Sequence, residues 1–200
     1  MSGLMAKTLL YLNEVRQATW LELFFDLIFV VALGKVTHLL THVHDGHLDD
    51  GVWWKFVLVF IPLWWIWVGH TVYSNRFDSD SRPHRVLTLL LMALLVMLSV
   101  IVSGDVFDNY VVFIVIYTFA RLMIAGLYFS AAHKYPDKAG LATRIGGLFS
   151  IGALISLSTI LFQPNVALWV FFSGIFVDLL SPVLLRRYLL AHPVHHEHLV

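Results

Sequence analysis

Residues 20–42 read W-L-E-L-F-F-D-L-I-F-V-V-A-L-G-K-V-T-H-L-L-T-H, a stretch long enough and apolar enough to cross a lipid bilayer. The same stretch contains Glu22, Asp26 and Lys35. An ionisable residue inside a membrane span is costly, and it normally faces a partner, a cavity or a pathway. These residues therefore predict a membrane helix that does more than anchor the chain.

The composition of the whole chain indicates the same class. Of the 200 residues, 59% are hydrophobic and 13% are charged, and the mean hydropathy is +0.80. A soluble domain has about 25% charged residues, so this chain lacks the charge to cover a soluble surface. Apolar runs recur at the length of spanning helices, and the short alternating segments of a β-barrel are not visible. We predict an all-α, polytopic membrane protein.

Cysteine and charge narrow the possibilities further. The sequence has no cysteine, which excludes a disulfide framework, thiol catalysis and thiolate metal sites. Its formal net charge is zero and it has no polybasic tail, so we expect no nucleic-acid partner. The N-terminal residues show no signal-peptide pattern, and we expect the first span to act as its own insertion signal.

Six apolar segments are predicted to span the bilayer. They are residues 20–43, 52–73, 85–103, 110–132, 141–162 and 166–185, within a bundle at 20–187 that follows a leader at 1–19 and precedes a His-rich tail at 188–200. Lysine and arginine outside the spans fall almost entirely before span one, between spans two and three, between spans four and five, and after span six. Cytoplasmic loops carry this excess. We therefore expect a plasma (inner) membrane protein with both termini, the leader and the tail in the cytoplasm.

Charged residues in three spans are predicted to converge. Glu22 and Asp26 are four residues apart and share one helix face. At 1.5 Å per residue, Asp26 and Asp178 lie roughly 10 and 12 Å from the cytoplasmic boundary, and Arg121 lies roughly 18 Å from it. A long arginine side chain can reach across this difference and pair with carboxylates. The interpretation stays open between an ion-pair network that orders the helices and a hydrated pathway or binding site.

An excess of acids favours the pathway. Glu22, Asp26 and Asp178 are three carboxylates, and Arg121 is one central base. In surroundings of low dielectric constant, surplus negative charge favours protonation of one carboxyl group. Such a cluster would suit a proton or cation carrier.

Further polar residues are candidates for the ends of such a pathway. Lys35 and His38, with His42, form a second face towards the outer end of span one, and Asn75 and Asp78 follow span two. The histidines and acids of the outer turn are possible ligands for a divalent metal, although loose interfacial histidines in an acidic turn are the more usual explanation. Asn75 and Asp78 either cap an inner mouth or belong to a solvated connecting loop.

Enzymatic motifs are missing from the sequence. It contains no G-x-S-x-G motif, no P-loop and no fixed zinc spacing, and His70 and His84 are isolated candidates, the latter in a loop. Enzymatic activity, metals and cofactors therefore stay open. Span five carries Gly147, Gly152 and Ser156, which suit a close-packed helix face.

Several stretches resemble the low-temperature-requirement A (LtrA) family of bacterial membrane proteins. Residues 22–30, E-L-F-F-D-L-I-F-V, followed by H-L-L at 38–40, are similar to the opening signature of that family. The Trp-rich second span leading into N-R-F-D-S-D-S-R at 75–82, Y-T-F-A-R at 117–121 and the Pro-His-rich tail are similar as well. The resemblance implies a multi-span inner-membrane protein, but the family's name describes a growth phenotype and supplies little mechanism.

The resemblance also bears on assembly. Family members are usually much longer, with a second half that echoes the first, so we expect a half-length member or an N-terminal half. An even number of spans keeps a second copy in the same orientation. We therefore expect a parallel two-fold homodimer, with the Gly/Ser face of span five as a candidate interface.

The preferred prediction is an integral membrane transporter or channel for a proton or cation. Its partners would be the bilayer, a second copy and a small ion or small-molecule substrate. The predicted binding or pathway residues are Glu22, Asp26, Arg121, Asp178, Lys35, His38, Asn75 and Asp78. The alternatives are a membrane enzyme or metal- or cofactor-binding protein, and a structural or signalling bundle linked to stress or low-temperature growth.

Overall fold

The computed structural model describes residues 19–41, 50–77, 81–103 and 109–184. Its six long helices are α1 (Trp20–Thr37), α2 (Asp50–Arg76), α3 (Arg82–Ser103), α4 (Tyr110–Lys134), α5 (Ala139–Ser158) and α6 (Pro164–Leu179), and a short α7 (Ser181–Leu184) follows. Turns of 3-10 helix lie at His38–Thr41, Pro136–Lys138 and Thr159–Leu161. These residues include no strand, which confirms the all-α prediction.

Five segments of the described chain have the length and composition to cross a membrane. They are Gly51–Arg76, Arg82–Val102, Tyr110–Lys134, Pro136–Leu161 and Val166–Leu184. Helix α1 is not among these five segments; it has 18 residues, and three of them, Glu22, Asp26 and Lys35, are charged. The predicted polytopic membrane class is confirmed, and each predicted span coincides with one long helix.

Helix α1 begins with a capping box. The Thr19 backbone N–H donates to Glu22 Oε2 at 3.2 Å, and the Glu22 backbone N–H donates to Thr19 Oγ1 at 3.3 Å. These two bonds satisfy backbone donors that have no partner within the first helical turn. The T-x-x-E spacing at residues 19–22 therefore explains why the helix begins at Trp20 and assigns Glu22 a local role at its start.

The apolar face of α1 explains how that helix packs. Phe25, Phe29, Ala32 and Val36 are buried and recur at helical spacing. This helix packs mainly on α3 and also on α2, while α4 packs most extensively on α5, and α5 on α6. Helix α4 also contacts α2 and α3, so it joins the two groups of helices. Its central position places the residues of α4, including Arg121, deep inside the bundle.

Small residues bring α5 and α6 close together. A Cβ atom added to Gly174 would collide with Ser156 Oγ, and the Ser156 hydroxyl donates to the Phe171 carbonyl at 3.3 Å. The expected close-packed face is therefore real at Gly152 and Ser156, whereas Gly147 has open space beside it. At those two residues the face is occupied by α6 of the same chain. The prediction that a dimer interface forms at these two residues is wrong, because small residues let α6 of the same chain pack closely against them.

Candidate functional site

An ion pair between α4 and α6 lies at the centre of the candidate site. Arg121 Nη2 donates to Asp178 Oδ2 at 2.6 Å, and the two side chains are 0% and 1% exposed. Both residues belong to segments that can span a membrane. A single unpaired charge at this depth would be strongly unfavourable. The pair therefore holds α4 and α6 together through opposite charges.

Two other helices complete the environment of the guanidinium. Arg121 Nη1 donates to the backbone carbonyl of Trp65 in α2 at 3.2 Å. The guanidinium carbon lies 4.0 Å from the centre of the Phe149 ring in α5, within the range of a cation–π interaction. Four helices, α2, α4, α5 and α6, thus meet at one cation.

Two glycines make room for the charged groups. A Cβ atom on Gly69 would lie 2.8 Å from Arg121 Nη1, and a Cβ atom on Gly152 would collide with Asp178 Oδ1. Real Cβ atoms do not approach so closely, so a side chain at either position would displace the ion pair or a helix. The two glycines are therefore part of the site, although only Gly152 was singled out from the sequence.

Several buried polar atoms next to the ion pair have no hydrogen-bond partner among the described residues. They are Asp178 Oδ1, Arg121 Nε, Trp65 Nε1 and Tyr117 Oη. Tyr117 is buried in the same helix as Arg121, and the centre of the Trp65 ring lies 5.8 Å from the guanidinium carbon. Buried polar atoms normally have partners. The site thus has unused hydrogen-bonding capacity, which sequence reasoning missed even though Tyr117 lies one helical turn before Arg121.

Asp26 lies on the other side of α2. Trp67 Nε1 donates to Asp26 Oδ1 at 2.7 Å, and the Trp67 ring stacks on Phe29 with 5.1 Å between ring centroids. Trp65 and Trp67 are two residues apart and so differ by about 200° around the helix. Asp26 and Asp178 therefore approach one level of α2 from nearly opposite sides. Among the described residues Asp26 forms no ion pair with Arg121, so of the groups expected to converge the structure brings together Arg121 and Asp178 and leaves Asp26 with Trp67.

The remaining predicted site residues lie away from the ion pair. Glu22 caps the start of α1, Lys35 and His38 are exposed at its other end, and Asn75 is exposed near the end of α2. Asp78 lies outside the described residues. The contacts described for Arg121 and Asp178 include none of these five. Whether any of them lines a pathway stays a prediction.

A second buried polar group joins α2 to α3. His70 Nε2 and Thr88 Oγ1 are 3.1 Å apart, and the rings of His70 and His84 stack with centroids 6.0 Å apart. His84 lies in the first turn of α3 and is buried, so its predicted place in a loop is wrong. The ring of Phe25 from α1 lies 4.0 Å from that of His70. The two histidines are therefore neighbours. The sequence signal for the group around His70 is the three-residue spacing of His70 and Tyr73, which places both on one face of α2.

The described part of the chain contains no group of three or more histidine, cysteine or acidic side chains placed to hold a metal. The histidines of the outer turn after His38, which the sequence offered as possible ligands, lie outside that part. A metal site at those histidines therefore stays a prediction.

Comparison with known proteins shows which family the chain is similar to. Residues 17–200 match the model of the family described as bacterial low temperature requirement A protein (LtrA). An uncharacterized protein of Rhizobium meliloti (strain 1021) is 27% identical over 165 residues, a match that covers 79% of this chain and 38% of that relative. The chain therefore spans less than half the length of that curated relative. No solved structure matches the chain.

Proposed function

The chain belongs to the bacterial low temperature requirement A (LtrA) family, and from that premise we propose that it is a plasma-membrane transporter or channel for a proton or cation. One observation carries the proposal. The Arg121–Asp178 pair is fully buried between spans, yet Asp178 Oδ1 has no partner among the described residues. A carboxylate oxygen in that state can accept a proton or contact a cation.

The energetics of buried charge support a role beyond packing. Well-packed apolar residues of similar volume often stabilise a fold as well as a buried ion pair does. Inside a membrane, ionisable residues commonly mark ion or proton pathways. An ion pair whose polar atoms are left partly without partners contributes little to packing alone. Those atoms can instead contact an exchangeable ligand.

The mechanism follows from the contacts of Arg121. At rest, its guanidinium pairs with Asp178. A proton or cation that reaches Asp178 competes with Arg121 for the carboxylate and weakens the tie between α4 and α6. Arg121 keeps the Trp65 carbonyl and the Phe149 ring as partners. Occupancy of Asp178 then shifts the population of two helix arrangements.

The other candidate residues have proposed places along the same pathway. Asp26, which accepts a hydrogen bond from Trp67, supplies a second carboxylate on the side of α2 that is opposite Asp178. Besides Arg121 and Asp178, the pathway would use the other predicted residues from the inner side to the outer end of α1, along Asn75, Asp78, Glu22, Asp26, Lys35 and His38. We also propose that two copies assemble as a homodimer, because the chain is less than half as long as its curated relative.

Flux measurements on purified protein in liposomes test this function. Asp178→Asn removes the charge with little change in volume, and we expect it to reduce proton or cation flux to the level of protein-free vesicles. Asp137→Asn is the matched control, because Asp137 is exposed in the Pro136–Lys138 turn. Equal flux in wild type and in Asp178→Asn would contradict the proposed role of Asp178.

A structural bundle is the competing function, and the contacts of Arg121 with three other helices favour it. In that case the ion pair only fixes the packing of α4 against α6. Asp178→Asn would then lower the thermal stability of the protein, and wild-type vesicles would show no flux above the protein-free level.

A further inference from the structure

The unpartnered atoms beside the ion pair form a set with a definite chemical character. Trp65 Nε1 and Arg121 Nε can only donate a hydrogen bond, Asp178 Oδ1 accepts, and the Tyr117 hydroxyl can do either. All four side chains are at least nine-tenths buried. The set therefore contains two fixed N–H donors and one anionic acceptor.

This set fits water and a proton better than a metal ion. Hard metal cations need several oxygen ligands, about six for Mg²⁺ and up to eight for Ca²⁺. Here the unpartnered oxygens are Asp178 Oδ1 and Tyr117 Oη, while the N–H groups of Trp65 and Arg121 present hydrogen. The guanidinium 2.6 Å from the carboxylate would also repel a second fixed cation. A proton needs only one acceptor oxygen.

We propose that the species this site carries is a proton, delivered to Asp178 by a water molecule that Tyr117 and Trp65 hold in place. The inference rests on the proposed transport function and names its substrate. In the step, hydronium gives its proton to Asp178 Oδ1, an O–H bond forms on the carboxyl group, and water remains. The Arg121–Asp178 attraction falls because the carboxyl group becomes neutral.

The contacts of Arg121 allow that step without expelling the cation from its place. The Trp65 carbonyl at 3.2 Å and the Phe149 ring at 4.0 Å are groups that do not titrate, so both remain available to Arg121 when Asp178 is protonated. Arg121 therefore stays buried while Asp178 is neutral, and it recovers the carboxylate when the proton leaves. Tyr117 and Trp65 are positioning residues in this scheme, because they orient the water that reaches Asp178.

Parallel measurements in liposomes test the inference. Vesicles with a pH-sensitive dye inside report proton uptake under an imposed membrane potential, and radioactive sodium reports metal-cation uptake into the same vesicles. We expect proton uptake without sodium uptake. Tyr117→Phe should lower proton uptake by about fivefold, the effect of one lost hydrogen bond. Tyr110→Phe is the control, because Tyr110 lies at the exposed start of the same helix.

The outcomes separate the inference from the function on which it rests. Asp178-dependent sodium uptake would overturn the proton assignment and leave transport standing. The absence of any Asp178-dependent flux would overturn both. Unchanged proton uptake in both Tyr117→Phe and Trp65→Phe would overturn the role of the positioned water. If Asp178→Asn fails to fold, Tyr117→Phe and Trp65→Phe still decide whether Tyr117 and Trp65 position the water molecule.

Discussion

Arg121 carries a permanent charge and is not exposed to solvent. Its surroundings offset the free-energy cost of burying that charge. Asp178 supplies the opposite charge, the Trp65 carbonyl accepts a second hydrogen bond, and Phe149 covers one face of the guanidinium. Each partner comes from a different helix. The burial of this one residue therefore depends on the correct placement of α2, α5 and α6 together.

Removing one charge should cost more than removing both. Asp178→Leu leaves an uncompensated buried guanidinium, and we expect a loss of about 3–5 kcal/mol of stability. The double variant Arg121→Met with Asp178→Leu leaves no buried charge, and we expect it to recover most of that loss. Thermal unfolding in detergent measures both. A double variant as unstable as Asp178→Leu would contradict this reading of the pair.

Glu22 shows what a single-residue interpretation can overlook. Its charge inside an apolar run suggested a pathway residue, but the T-x-x-E spacing at residues 19–22 is also a capping-box signature. The structure contains both hydrogen bonds of that box. The capping box could be predicted from the sequence. No residue near Asp26 in the sequence indicated that Trp67 would donate a hydrogen bond to it.

The helices themselves were predictable from the sequence because each long apolar run needs a whole span to bury it. The direction in which each helix faces was not. The depth argument placed Asp26 and Asp178 at one level, and α2 does link to both, directly to Asp26 through Trp67 and to Asp178 through Arg121, which bonds the Trp65 carbonyl. That α2 stands between them depends on its position among the other helices, which no periodicity in α1 or α6 reveals.

The crossing of α5 and α6 gives a prediction with a built-in control. Gly152→Ala would push a methyl group into Asp178 Oδ1 and the Gly174 carbonyl, and we expect it to destabilise the protein by about 1–3 kcal/mol. Gly147→Ala in the same helix meets open space, so it should stabilise by about 0.5–1 kcal/mol. Thermal unfolding of the two variants should shift in opposite directions. Equal shifts would argue against a tight contact at Gly152.

The whole molecule consists of two groups of helices joined through α4. The connection after α2 and the connection before α5 lie together, since Lys138 Nζ donates to the Arg76 carbonyl at 3.4 Å. This contact places the end of α2 and the turn before α5 on one side of the bundle, as six spans require. The distribution of lysine and arginine assigns that side to the cytoplasm, and this orientation stays a prediction.

Cysteine labelling tests the orientation without background, because the chain has no cysteine. Asp137→Cys and Gln163→Cys introduce one thiol each at exposed positions in consecutive connections. A membrane-impermeant maleimide applied to intact cells should label position 163 and leave position 137 unlabelled until the cells are permeabilised. Labelling of position 137 in intact cells would contradict cytoplasmic termini.

Proton uptake by the double variant Arg121→Met with Asp178→Leu tests the central claim most directly. The variant replaces the ion pair, and with it the contacts of Arg121 to Trp65 and Phe149, by apolar side chains, so a folded variant separates a functional ion pair from a structural one. The account predicts a folded protein whose vesicles take up protons no faster than protein-free vesicles, while wild type does. Uptake at the wild-type rate by the folded double variant would contradict it.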